Sequence, residues 1–363
     1  MNFINETFAQ FMEESLYGKD GFYTLGGGAG RTRDYITSPE VGDLFGRVIA
    51  TYIDDWYDKL QTDKPAVVID AGCGPGSLAA SIARAHMKNA EMVDYLLVDR
   101  SPIHQKTCED RLDSMDVDFN WSVHAILPEC EFPTLVIANE LLDNLVFNIG
   151  YSDEVFKSFE PDAIDRPLLG LDTYAKFGVF PNIDNLKGAN APMDLGHFRI
   201  PSHTGIARWF EELSVATSNV GSLSLLFFDY MKPVQNFEDG DWLRLYSSND
   251  RIVGIDEVLD ALRSGVKGDI TTDIIKEDLH VLLDIEGFSK IKFESQTDWL
   301  RNQGIDVWCE RRNSEQSSYD QLKTWVEVES SQNETQDFSA ERTILTDSNG
   351  LGAFTVVQAK REI

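Results

Sequence analysis

The chain is poor in cysteine, poor in basic residues and free of long apolar runs. Its four cysteines, Cys73, Cys108, Cys130 and Cys309, lie far apart with no Cys-x-x-Cys pair, so neither a zinc site nor a disulfide framework is indicated. The six histidines include no His-x-x-x-His pair, and no metal site is expected. No Gly-x-Ser-x-Gly elbow and no phosphate-binding lysine loop occurs, which weakens hydrolase and nucleoside-triphosphatase readings. No stretch approaches the ~18 apolar residues of a membrane helix, and Met1-Asn2-Phe3 lacks the basic start and apolar centre of a secretion signal. A cytoplasmic protein is expected. The shortage of cations is the largest of these deficits: 32 Lys and Arg stand against 61 Asp and Glu, a formal charge of −29. Such a chain repels nucleic-acid phosphates and anionic lipid, so the expected partners include no nucleic acid and no membrane, while a cationic ligand is welcome.

What is present is enough for a core: 42% hydrophobic and 11% aromatic residues in a chain of 363. That length suits two domains or one large α/β domain with insertions, and the pattern favours the second. Residues 1–62 read as an N-terminal lid and amphipathic helix: Phe3, Phe8, Phe11 and Met12, then the glycine-rich stretch Gly26 to Gly30, then Thr37-Ser38-Pro39-Glu40 as a helix start. Val41, Leu44, Phe45, Val48, Ile49, Tyr52, Ile53 and Trp56 follow at the spacing of one helical face. Residues 63–146 read as the first half of a doubly wound sheet, with short apolar runs at 66–70, 95–99 and 134–138 and a further strand at 119–123. An insertion or substrate subdomain is expected at 147–200, after the fourth strand. The second half, 201–363, has strands at 222–229 and 352–359 and an irregular inserted segment at about 231–273, after the fifth strand.

The most informative segment is Asp70-Ala71-Gly72-Cys73-Gly74-Pro75-Gly76-Ser77. Glycines at 72, 74 and 76 let the backbone turn tightly and approach a ligand. Ser77 stands where a dinucleotide fingerprint wants its third glycine, which disfavours an NAD-dependent oxidoreductase. Asp70, just before the turn, suits the ammonium and sulfonium of S-adenosylmethionine. Asp99 ends the next strand, where a carboxylate can accept both ribose hydroxyls of an adenosine; the competing explanation is a helix cap, since Asp99-Arg100-Ser101-Pro102 resembles a helix start.

The residues then resemble a family. Phe8-Ala9-Gln10-Phe11-Met12, Asp34-Tyr35-Ile36-Thr37-Ser38-Pro39-Glu40, the glycine turn, Leu97-Val98-Asp99-Arg100-Ser101-Pro102, Ala138-Asn139-Glu140-Leu141-Leu142-Asp143, Phe228-Asp229-Tyr230 and Gly268-Asp269-Ile270-Thr271 occur in the order found in S-adenosylmethionine-dependent methyltransferases of the MidA and mitochondrial complex I assembly factor family. The resemblance implies a class I methyltransferase (Rossmann-like) fold, a seven-stranded and mostly parallel sheet with an antiparallel last strand. It implies S-adenosyl-L-methionine as cofactor and methylation of arginine on a partner protein. Association as a homodimer through the insertions is a further expectation. The chain has Arg33, Met231 and Asp273 where the family has glycine, glycine and often histidine.

The expected cofactor site is Asp70, Gly72, Gly74, Gly76 and Asp99, with Thr37 and Ser38 brought in by the lid, although starting a helix is by itself a sufficient role for those two. Asp70, Asp99, Asn139, Glu140 and Asp229 should gather over the carboxyl ends of the strands. A guanidinium is planar and stays charged, so a carboxylate must hold and orient it. Glu140 is the expected clamp, Asp143 a second acceptor on the same face, and Asn139 a polar group near the methionine portion or the target. The alternative is that Asn139 and Asp143 cap a helix and Glu140 is merely solvated. At the level of the whole protein the alternative is a catalytically inactive cofactor-binding assembly factor.

Overall fold

Short runs of Val, Leu and Ile become the inner strands of one sheet because they are covered on both faces. The computed structural model describes residues 7–28, 37–152, 198–247, 250–309 and 338–362. Expectations for Phe3, Gly30, Arg33, Asp34 to Ile36 and most of the 147–200 insertion lie outside the described residues. The strands are β1 (Ala66–Ala71), β2 (Val93–Val98), β3 (Asn120–His124), β4 (Thr134–Asn139), β5 (Ser222–Asp229), β6 (Ser289–Ser295) and β7 (Thr355–Glu362). Their order is β6-β7-β5-β4-β1-β2-β3. β7 runs antiparallel to both β6 and β5, and the other pairs are parallel. This is the seven-stranded arrangement expected from the sequence. β6 is new relative to that reading, where Ser289–Ser295 carried only a weak alternation of apolar and polar residues.

Alternate residues of each inner strand serve two cores. Val68 and Ile137 pack with Phe45, Val48, Ile49 and Ile53 of α2 (Asp43–Leu60), while Ile69 and Val136 face Ile206, Phe210 and Leu213 of a helix at Thr204–Ala216. Phe228 of β5 sits edge-on between Phe45 (5.2 Å) and Trp299 (5.0 Å). Its truncation to Ala removes a fully buried ring, at a cost of about 3–5 kcal/mol.

Three sequence expectations are corrected here. The helix anticipated from residue 38 onward is broken at Gly42: Ser38–Val41 forms one turn, and α2 restarts at Asp43. The reason is Glu341, whose carboxylate accepts the Leu44 N–H at 2.8 Å and occupies the space a Gly42 Cβ would need. A carboxylate distant in sequence therefore supplies the negative group at the α2 N-terminus. Second, the lid helix α1 (Phe8–Tyr17) is more than a cover: Met12 and Leu16 are fully buried in a third core with Phe147, Phe237, Trp242 and Leu245. Third, the segment at 231–273 is regular for most of its length, with an antiparallel sheet of Leu243–Ser247, Asp250–Val253 and Asp269–Thr272 and a helix at Ile255–Arg263. The third core joins α1 to this small sheet beside the carboxyl ends of β4 and β5.

Candidate active site

The turn after β1 is a consequence of its glycines. Gly72, Gly74 and Gly76 have φ of 71°, 52° and 77°, a region that costs other residues about 1–2 kcal/mol. The Gly72 and Cys73 N–H groups donate to the Val98 carbonyl at 2.8 and 3.1 Å, latching the turn to the end of β2. Gly72 and Gly74 line a cavity of about 470 Å³, within the size range of small-molecule sites. A Cβ on Gly74 would meet nothing within 4 Å, so its open side is the cavity. Gly76 is different and corrects an expectation. It does not line the cavity; a Cβ there would lie 2.6 Å from Cys108 Sγ on α4 (Pro102–Asp113), counting α3 (Ser77–Ala83) as the helix that Gly76 begins. Helix packing, not a ligand, requires that glycine.

Two carboxylates meet at this end of the cavity. Asp70 is buried at the end of β1, accepts a hydrogen bond from the Tyr95 hydroxyl at 3.2 Å, and is pushed up to about 7 by burial, with Asp99 adding to the shift and Tyr95 opposing it. Asp99 lies one residue beyond β2. Its Oδ2 accepts the Gly74 N–H at 2.9 Å and its Oδ1 accepts the Ser101 N–H at 2.8 Å. The helix-cap alternative is thus met by another residue, since Ser101 Oγ caps α4 by accepting the His104 N–H. Asp99 instead ties the glycine turn to the start of α4, with its remaining lone pairs toward the cavity.

The other end of the cavity is built after β4. Asn139 and Glu140 line it. Glu140 has φ of 54°, a strained backbone for a non-glycine residue that aims this side chain. Asn139 Nδ2 donates to Glu140 Oε1 at 3.1 Å, while Asn139 Oδ1 is buried without a partner. Burial raises the Glu140 pKa to about 8, reinforced by Asp229 and opposed by hydrogen bonds from Asn139 and the Ser38 backbone. A cation arriving here opposes that shift by favouring the ionised carboxylate.

Asp143 and Asp229 are brought near this end but do not line the cavity, contrary to expectation. Leu142–Asn144 is a short 3-10 turn, and it carries Asp143 behind Glu140. Asp143 is 3% exposed, its Oδ1 has no partner, and burial together with Asp229 and Glu140 drives its pKa far upward. Asp229 spends its oxygens on backbone: Oδ2 accepts the Leu142 and Asp143 N–H groups at 2.8 and 3.4 Å, and Oδ1 accepts the Tyr230 N–H at 2.8 Å. Burial and Asp273 raise it to about 7 against these bonds. The sequence reading also missed Arg244, a buried cation that donates to Asp273 Oδ1 at 2.6 Å and lies over the Tyr230 ring at 5.1 Å. Lys232 pairs with Asp273 Oδ2 at 2.8 Å. Asp273 is therefore held between two cations.

Thr37 lines the cavity, whereas Ser38 is fully buried and its Oγ donates to Gln296 Oε1 at 3.2 Å, anchoring the 38–41 turn to α8 (Gln296–Asn302), if α5, α6 and α7 denote Thr204–Ala216, Ile255–Arg263 and Lys276–Ile285. Of these two, only Thr37 is positioned toward a ligand. Glu40 accepts a hydrogen bond from Ser77, and Arg111 donates to the same hydroxyl, which fastens the turn to α3 and α4. The strap 21–28 closes the cavity from the N-terminal side: Ser101 Oγ donates to the Tyr23 carbonyl at 2.7 Å, and the Tyr23 hydroxyl donates to Asp269 Oδ1 at 2.9 Å. Six acidic side chains line the cavity, Glu13, Glu40, Asp70, Asp99, Glu140 and Glu212, against two arginines, Arg100 and Arg208. Ala125, Ile126 and Leu127 after β3 add an apolar wall, and Ile126 is 77% exposed. Among the described residues no helix is long and apolar enough to cross a membrane, and no group of three or more His, Cys, Asp and Glu side chains could hold a metal ion.

The residues present fit S-adenosylmethionine: an open glycine cradle, a free-sided carboxylate for a diol, and an acidic wall for an ammonium and a sulfonium. Comparisons with known proteins agree. Residues 48–154 match the model of a family described as "Putative S-adenosyl-L-methionine-dependent methyltransferase". The Drosophila melanogaster protein arginine methyltransferase NDUFAF7 homolog, mitochondrial, is 28% identical over 124 residues, which is 33% of this chain and 26% of that protein. The match thus spans about a quarter of the length of this curated relative. A crystal structure of an uncharacterized superfamily protein from Burkholderia thailandensis is 19% identical, covering 98% of this chain and 87% of that one, with a TM-score of 0.66. A member of the same superfamily from that organism, bound to S-adenosyl-homocysteine, has a TM-score of 0.64 at the same identity and coverage. These structures show that the fold is the class I, Rossmann-like one.

Proposed function

We propose that the chain is an S-adenosylmethionine-dependent methyltransferase of the kind its motifs resemble and residues 48–154 match, and that it transfers a methyl group from S-adenosylmethionine to a guanidinium nitrogen of arginine in a partner protein. The observation that carries the arginine assignment is Glu140, a buried carboxyl group on a strained backbone, with its pKa pushed up to about 8, at the end of a cavity already walled by acids. The arginine methyltransferase description of the Drosophila relative supports the same target class.

In this reading Gly72, Gly74 and Asp99 hold the adenosine, Ala125 to Leu127 cover its base, and Asp70 faces the cationic methionine portion. When bound, the cofactor supplies an electrophilic methyl group on a sulfonium. The protein's part is alignment and exclusion of water, because an in-line displacement needs little covalent help. Glu140, ionised when a guanidinium is beside it, accepts two N–H bonds and turns the third nitrogen toward the methyl group; as the N–C bond forms and the S–C bond breaks, with S-adenosylhomocysteine as the leaving group, the guanidinium gives up one N–H proton to solvent. Asn139 Oδ1, an unsatisfied acceptor, takes a further N–H from the target or from the cofactor's ammonium. Asp143 and Asp229 act from behind without touching the target: Asp229 supplies negative charge above its pKa of about 7, while Asp143, driven far upward by burial and its acidic neighbours, keeps its proton.

Thermal-shift titration tests the cofactor half. S-adenosylhomocysteine at about 100 times its dissociation constant should stabilise the protein by about 2.7 kcal/mol, and NAD should not. Stabilisation by NAD alone contradicts the proposal; binding without transfer to any protein supports a non-catalytic binding role.

A further inference from the structure

His104 is a buried residue that touches both the cofactor end and the strap. Its side chain is 5% exposed and lines the cavity. Nε2 lies 2.9 Å from the Gly27 carbonyl oxygen, which can only accept, so Nε2 carries the proton of that bond. In the neutral ring Nδ1 is then an acceptor, and it lies 3.6 Å from Asp99 Oδ2. Two acceptors thus face each other across a gap too wide for a direct hydrogen bond and open to the cavity. The first turn of α4 supplies a second link to the same strap through Ser101 Oγ and the Tyr23 carbonyl. Asp99 holds the Ser101 N–H and, with Oδ2, the Gly74 N–H, so the carboxylate, the imidazole and the strap form one connected unit. A Cβ on Gly28 would meet the imidazole at 3.4 Å, so strap and ring lie side by side in packing contact.

We propose that His104 is a further cofactor-binding residue: Nδ1 accepts one ribose hydroxyl of the adenosine while Asp99 accepts its neighbour, and Nε2 holds the strap at Gly27 over the occupied cavity. This rests on the S-adenosylmethionine reading above. A vicinal diol provides two donors for the two facing acceptors, which a base or a sulfonium cannot. The ring then has a hydrogen-bonding partner at both nitrogens, so ribose binding and strap closure reinforce each other.

The test needs no turnover. Dissociation constants of S-adenosylhomocysteine and of its 2′-deoxy and 3′-deoxy analogues are measured with the native protein, His104→Phe and His104→Gln, and hydrogen exchange of residues 21–28 is followed with and without each ligand. Loss of one hydrogen bond predicts about 3- to 10-fold weaker S-adenosylhomocysteine binding in His104→Phe. With one of the deoxy analogues the two proteins should bind equally. In the native protein S-adenosylhomocysteine should slow exchange at 21–28 more than that analogue does, a readout that stands even if a variant misfolds. Equal binding of S-adenosylhomocysteine by native protein and His104→Phe, or a loss that persists undiminished with both deoxy analogues, overturns the role of His104 alone. Failure of the native protein to bind S-adenosylhomocysteine overturns the cofactor reading beneath it.

Discussion

The two ends of the cavity are built in opposite ways. At the cofactor end, Asp70, Gly72, Gly74 and Asp99 come from two adjacent strands and the turns that follow them, and the pairing of Ala71 with Val98 brings those turns together. At the acceptor end, Asn139 ends β4 and Glu140 follows it, but the acids that add to the Glu140 shift, Asp229 and Asp269, come from β5 and the inserted small sheet. The first end is local and shared by any adenosine-binding sheet; the second is assembled at long range. Binding of cofactor and choice of acceptor are therefore separable by mutation.

The largest expected effect lies at the acceptor end. Glu140→Gln keeps the shape but loses the negative charge, and methyl transfer should fall by about 10²-fold or more while S-adenosylhomocysteine binds as before. Asp143→Asn, by contrast, should change transfer less than Glu140→Gln, because Asp143 lies behind the cavity wall. Equal losses in the two variants, read from initial rates, break the distinction between a group that touches the target and one that does not. At the cofactor end, Asp99→Ala should weaken S-adenosylhomocysteine about 10- to 100-fold, as expected for a lost charge-assisted bond pair, measured by calorimetric titration.

Gly76→Ala should lower stability by about 1–3 kcal/mol through the positive φ and the overlap with Cys108 Sγ, seen as a lower unfolding midpoint. Gly74→Ala shares the backbone strain without that overlap, so its stability loss should be the smaller of the two.

A separate expected effect is in pH dependence. Glu140 at about 8 and Asp70 and Asp229 at about 7 are raised above their unfolded values near 4. Between those limits the unfolded chain has released protons that the folded chain still holds, so these groups lower stability as pH rises through 7 to 8. The ligand-free unfolding midpoint should fall from pH 5.5 to pH 8.5, and fall less in Glu140→Gln. S-adenosylhomocysteine affinity should rise over the same interval as Asp70 ionises, and Asp70→Asn should flatten that rise.

The contrast between the two ends also explains what was legible in the sequence. The glycine turn, Asp70 and Asp99 are readable because a strand, a turn and a helix start leave local signatures within a few residues. Glu140 was readable from its place after the fourth strand. Asp143 and Asp229 were misplaced because their direction depends on a 3-10 turn whose N–H groups Asp229 itself accepts. Ser38 was expected at the cofactor, or at a helix start, because its partner, Gln296, is 258 residues away, and Gly42 gave no hint of Glu341. Arg244 and His104 carried no motif at all; only tertiary placement gives them a role.

Transfer of label from methyl-labelled S-adenosylmethionine to protein in a cell extract, with the labelled residue identified by mass spectrometry, tests the arginine assignment most directly. Label on arginine side-chain nitrogen with the native protein, lost in a Glu140→Gln variant that still binds S-adenosylhomocysteine, is the expected result. Label on another residue type, or undiminished arginine label with Glu140→Gln, contradicts it.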